Sequence, residues 1–205
     1  EMSTSDWSSD VCSSDLPVLA LDGWADSYTN TVLRVVENLK VPRRGIIGPW
    51  AHVYPHDGAP GPAIGFLQEA VRWWDHWLKG KENGVMEVPI VQAWIQDSYP
   101  PSAFQYVSAG RWVCAEDWPS KQTEERILHL AHGKLLDRPC EKKESVKLKT
   151  PLNHGLLAGE WMGAAVPGES PSDQRIDDGM AMVFEGEVLC QPRSEERRVG
   201  KECRS

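Results

Sequence analysis

The sequence has no run approaching the roughly 18 apolar residues that a membrane span requires. It also lacks a charged start followed by an apolar core and a small-residue cleavage site, the form of a secretory leader. Basic residues are in short supply: 22 Lys and Arg stand against 30 Asp and Glu, a net charge of -8. Without a basic stripe the chain is unsuited to phosphate backbones, so neither nucleic acid nor an anionic membrane is an expected partner. Cysteine is sparse, five residues with no Cys-x-x-Cys, which excludes a disulfide framework and a zinc ribbon. A reducing, cytoplasmic-type compartment fits this usage. Phenylalanine is scarce too, three residues against ten tryptophans. Buried Trp needs a large cavity and a partner for its N–H, and such residues often line pockets.

What is present is an ordinary globular composition. The 205 residues, 40% hydrophobic and 25% charged, suffice for one domain or one and a half at about 100 to 200 residues each, with a sizeable core. The two ends differ from what they flank. Residues 6–16 and 193–205 carry neither the period of a strand nor that of a helix, and both resemble translated sequencing-library adapters. A pair of disordered polar tails is the plainer alternative. Setting 1–16 and 193–205 aside leaves 17 bases and 23 acids, so the acidic balance survives, and it leaves Cys114, Cys140 and Cys190.

Pro17 to Gly23 is a short continuous apolar run ending at glycine, the form of a strand buried in a parallel sheet. Tyr28 to Lys40 then carries Val32, Leu33, Val35, Val36 and Leu39 as one stripe, and Pro42 stops it. Arg43 to Gly48 is a second short strand, completing a βαβ unit. A Gly/Pro-rich loop leads into a helix over Ile64 to Leu78, where Leu67, Ala70, Val71, Trp74, Trp77 and Leu78 share the face expected to pack inward. Lys79 and Gly80 close it. Val88, Ile90 and Ala93 to Ile95 read as a strand, broken by Pro100-Pro101. A boundary is expected near Pro119 to Thr123. Beyond it, short strands at Ile127–Leu130, Val146–Leu148 and Met180–Phe184 predict the start of a β-sandwich. The expected architecture is thus α/β over 17–120 followed by an incomplete sandwich over 121–192.

Two loops leave the carboxyl ends of predicted parallel strands, where open α/β sheets place their ligands. One is Asp22-Gly23-Trp24-Ala25-Asp26-Ser27-Tyr28 and the other Gly48-Pro49-Trp50-Ala51-His52. A hydrolytic Ser-His-Asp arrangement needs a carboxylate that accepts from the imidazole and fixes its tautomer, so that the other nitrogen can take the serine proton. Asp26 and His52 can form that pair, in the chain order of α/β hydrolases. Their alternative roles are helix capping and solvation.

Gly-Trp-Ala-Asp, Gly-Pro-Trp-Ala-His and the Trp-rich segment Arg72 to Gly80, in this order, resemble the cocaine-esterase-like and X-Pro dipeptidyl-peptidase family of serine hydrolases. Trp112 to Pro119, Asp173 to Asp178 and Val183-Phe184 resemble that family's C-terminal jelly-roll domain. The resemblance implies the C-terminal part of an α/β-hydrolase sheet and then a jelly roll. It implies Asp26 as the triad acid and His52 as the triad histidine, acting on a small ester or short peptide without metal or cofactor. The family's nucleophile sits in a Gly-x-Ser-x-x-Gly elbow, which this sequence lacks; Ser27, Ser98, Ser102 and Ser108 stand in other contexts. Without nucleophile and oxyanion donors the chain as written is expected to be inactive.

Other residues are weaker candidates. Asp22 is the substitute acid, or a turn residue. His56, in Pro-His-Asp-Gly, reads as part of a turn, and His76 as a structural hydrogen-bonding residue. His129 and His132, three apart on a predicted strand, point to opposite faces and cannot chelate one metal. Asp177-Asp178 lacks the further oxygen ligands a calcium ion needs. Trp24, Tyr28 and Trp50 flank the acid and the histidine and are candidate pocket walls, with packing behind the loops as the alternative. Rival functions are an X-Pro dipeptidyl aminopeptidase, which needs a carboxylate for the substrate amine, and a noncatalytic sandwich presenting a carbohydrate or partner site. An oligomer is compatible with either.

Overall fold

The computed structural model describes residues 15–121, 125–141, 145–160, 162–163 and 168–188. Strand β1 (Val18–Gly23), helix α1 (Thr29–Asn38) and strand β2 (Arg43–Gly48) form the expected βαβ unit, with β1 and β2 parallel from Val18 opposite Arg43 to Gly23 opposite Gly48. Helix α1 buries Val32 and Val36 against the sheet and ends where Leu39 turns extended, three residues before Pro42. Helix α2 (Phe66–Lys79) follows, and β3 (Val91–Gln96) returns parallel to β2. The core gathers Val32, Ile46, Ile47, Trp50, Trp73, Val85, Val91 and Ala93.

Strand β4 (Gly110–Ala115) pairs antiparallel with β3, Trp94 opposite Trp112, and completes a four-stranded mixed sheet in the order β1-β2-β3-β4. Although the Trp112–Pro119 motif resembles the family's later domain, its first residues lie on β4 and extend the first sheet, within the expected 17–120 α/β part. Cross-strand pairing decides this, and the indoles of Trp94 and Trp112 meet edge to face at 5.4 Å.

The inward face of α2 also differs from expectation. Leu67, Val71, Trp74 and Leu78 are each more than half exposed, and the fully buried residue is Trp73. Periodicity fixes which residues share a face, but not which face meets the sheet. The buried face carries Trp73 and is tied to the sheet by an ion pair. Arg44, buried on β2, reaches Glu69 of α2 at 2.6 Å and Gln92 of β3 at 2.9 Å.

Beyond residue 120 the described residues form one hairpin, β5 (His129–Ala131) with β6 (Lys134–Leu136), and a short helix α3 (Arg175–Asp178). Val146–Leu148 and Met180–Phe184 are not strands. His132 lies in the hairpin turn rather than on the strand, because Ala131 already pairs with Lys134. A late segment folds back on the first: Ser170 N–H donates to Ala103 at 2.9 Å, and Phe104 bridges Glu169. No helix among the described residues is long and apolar enough to cross a membrane. Cys114 and Cys140 are free and exposed; Cys190 and most of the two adapter-like ends lie outside the described residues.

Candidate active site

Because β1 and β2 run parallel, the loops at their carboxyl ends emerge side by side. Two backbone bonds join them: Trp24 N–H to Gly48 O at 2.9 Å and Ala25 N–H to Trp50 O at 3.1 Å. The crossing is tight, since a Cβ on Gly23 would lie 1.8 Å from Trp50 O. Asp26 N–H then donates to Gly23 O at 3.1 Å, turning the chain so that its carboxyl faces the second loop.

The Asp26 carboxyl is braced on both oxygens. Oδ1 accepts from Tyr28 N–H at 3.0 Å and from Ser27 Oγ at 3.3 Å, while Oδ2 lies 2.7 Å from His52 Nδ1. The acid side chain is 6% exposed and the imidazole 53%. With Nδ1–H donating to the carboxylate, Nε2 is the basic nitrogen, on a ring half open to solvent. Burial is the largest influence on Asp26 and works upward. The Tyr28 N–H, the hydrogen bond and charge of His52 and a bond from Asp22 outweigh it, so Asp26 titrates below the ordinary carboxylate range.

Asp22 behaves oppositely. Burial pushes it up to about 6, helped by the charge and hydrogen bond of Asp26 and opposed by Gly23 N–H and His52. Its Oδ1 accepts from Gly23 N–H at 2.7 Å, so it serves the turn, and Asp26 is the acid that meets the histidine.

The flanking aromatic residues take different positions. Tyr28 is exposed, its ring centroid 6.3 Å from that of His52. Trp24 is half-buried and donates Nε1–H to Trp94 O at 2.6 Å, beside a cavity of about 30 Å³. Trp50, a candidate pocket wall, is fully buried with Nε1–H on Pro62 O at 2.8 Å; its indole packs behind the loop and offers no face to a ligand. A groove of about 500 Å³ runs along α2 past Leu67, Val71 and Arg72 and includes neither Asp26 nor His52.

The remaining candidates stand apart from the pair. His56 sits in a turn stacked on Tyr54 and Phe66. His76 Nδ1 meets Lys81 O at 3.0 Å. Asp177 is buried and accepts from Gly155 N–H. Among the described residues no three His, Cys, Asp or Glu side chains are gathered as a metal would require. Sequence reading missed the brace on Asp26 from Ser27 and Tyr28, although Asp-Ser-Tyr after a glycine carries the signal of an Asx turn. It also missed Met162, whose Sδ lies 3.3 Å from Ser27 N; no local pattern announces that contact.

The chain resembles two crystal structures of a CocE/NonD family hydrolase from Staphylococcus aureus. Identities are 13% and 14% and TM-scores 0.47 and 0.46, each over 62% of this chain and 22% of the other. The chain thus spans about a fifth of the length of those proteins. No curated protein matches it. The family model for X-Pro dipeptidyl-peptidase (S15 family) matches residues 3–54, which include both Asp26 and His52. The match to that family model thus falls on the segment that builds this site.

Proposed function

We propose that this chain is part of a serine hydrolase and supplies the acid and histidine of its triad. The observation that carries the reading is the 2.7 Å contact between Asp26 Oδ2 and His52 Nδ1 at the carboxyl ends of two parallel strands. In the complete enzyme a serine from a further segment attacks the ester or amide carbonyl. His52 Nε2 takes its proton and returns it to the leaving group, Asp26 stabilises the imidazolium, and water then releases the acyl group. Tyr28, exposed with its ring 6.3 Å from that of His52, is proposed as a wall of the acyl or leaving-group pocket, with Trp24 and Trp50 supporting the loop. The family model's own description favours a short peptide over an ester. Residues 121–192 are proposed as the start of the jelly roll.

Two features support the reading as part of a larger protein: the exposed apolar stripe of α2 and, among the described residues, the unpaired outer edge of β1. The test pairs this chain with the frame extended upstream by amplification from the source DNA. A fluorophosphonate probe is expected to leave this chain unlabelled and to label one serine of the extended protein, with labelling lost in His52→Ala. Labelling of a serine within this chain, or labelling indifferent to His52, would sink the proposal.

A further inference from the structure

The acid loop is held from far along the chain. Ser27 N–H donates to Met162 Sδ at 3.3 Å, across 135 residues, and both residues are half-buried. The turn uses its other donors internally: Tyr28 N–H and Ser27 Oγ both reach Asp26 Oδ1, which leaves Oδ2 for His52. The peptide joining Asp26 to Ser27 is planar, so anchoring its N–H fixes the whole unit from one Cα to the next, including the Cα that carries the acid.

Met162 lies on a segment that is itself anchored. Gly168 O accepts from Gln105 N–H, and buried Ser170 donates its N–H to Ala103 O at 2.9 Å and its Oγ to Ser102 O at 2.7 Å. A Cβ on Gly168 would lie 3.0 Å from Gln105 O, at a φ of +85° that favours glycine. The stretch contacted there is bonded in turn to the side of the histidine. Gly61 N–H donates to Tyr106 O and Ser108 N–H to Gly61 O, both at 2.8 Å, while Ala59 O accepts from Ala51 N–H, next to His52, at 2.9 Å. The late segment thus joins the acid loop to the histidine loop by a further route besides the crossing of Gly23 and Trp50.

We propose that Met162 is a positioning residue: its thioether holds the Ser27 N–H and, through that peptide, the turn that aims Asp26 at His52. A thioether is a weak acceptor on a flexible apolar side chain. Its effect is therefore on orientation more than on stability. The inference rests on the reading of Asp26 and His52 as acid and base.

The test uses the full chain and NMR. Met162→Leu keeps an apolar side chain of similar volume but has no acceptor. It is expected to raise Ser27 amide exchange about fivefold and to move the His52 ring nitrogen shifts toward those of Asp26→Asn, with little change in Tm. Selenomethionine in place of methionine keeps a soft acceptor of the same shape and should leave both signals at their parental values. A Ser27 amide that exchanges at the unprotected rate in the parent chain, or equally in the parent and Met162→Leu, overturns the proposal. So does faster Ser27 exchange with superimposable His52 shifts, which would make Met162 a packing residue. Asp26→Asn separates the two readings. If it leaves His52 unchanged, the Asp26–His52 pair itself fails; if it shifts His52 while Met162→Leu does not, only the role of Met162 fails.

Discussion

Gly23 and Trp50 meet backbone to backbone at the crossing of the two active-site loops, where a single added Cβ would lie 1.8 Å from the Trp50 carbonyl oxygen. The contact is with main chain, so no side-chain rotation relieves it. Gly23→Ala is expected to cost about 1–3 kcal/mol or more and to part Asp26 from His52. Denaturant unfolding gives the cost, and His52 ring shifts report the pair; a fully stable variant with unchanged shifts would contradict this geometry.

Arg44 depends on Glu69 for its charge partner across the sheet–helix interface. Glu69→Ala leaves a buried guanidinium with Gln92 alone, an expected loss of about 3 kcal/mol. Glu69→Gln, which keeps one acceptor, should lose less. Urea midpoints for the two variants decide it, and equal losses would remove the role assigned to the pair.

Stability should also register the raised Asp22. The folded chain keeps its proton up to about pH 6 while the unfolded chain releases it near 3.8. Between those values the folded state binds more protons, so this group's contribution to stability falls as pH rises. Asp22→Asn is therefore expected to match the parent chain in Tm at pH 4 and to exceed it at pH 7. A Tm difference independent of pH would contradict the assignment.

In the extended enzyme, Asp26→Asn should lower kcat about 10³- to 10⁴-fold, because an amide no longer selects the Nδ1–H tautomer. His52→Ala should be at least as severe. Steady-state rates on a p-nitrophenyl ester and on an X-Pro dipeptide anilide measure both, and a loss under tenfold for Asp26→Asn would remove it from the triad.

The stripe Leu67, Val71, Trp74 and Leu78 exposes a continuous apolar surface along α2. This chain is expected to bind an apolar dye and to self-associate. Replacing Val71 and Trp74 with Lys should reduce both while leaving the far-UV circular dichroism unchanged. Dye binding indifferent to these changes would place the apolar surface elsewhere.

The βαβ start was legible in the sequence because continuous apolar runs and a 3.6-residue stripe are local properties. The acid and histidine loops were legible for the same reason: each follows directly on a strand that its own residues define. Their 2.7 Å meeting was not, since it needs β1 and β2 in register and Gly23 free of a side chain. Composition marked the tryptophans as unusual but could not separate exposed Trp74 from buried Trp73, neighbours on one helix. The buried side is also the one tied to the sheet by Arg44 and Glu69, 25 residues apart. Likewise the place of β4 in the first sheet came from its pairing with β3. The sequence by itself determined the elements, their order and the chemical groups offered at the strand ends. Only the tertiary structure decided which helix face is buried, which strands pair and that Asp26 meets His52, because each depends on contacts between residues distant in the chain.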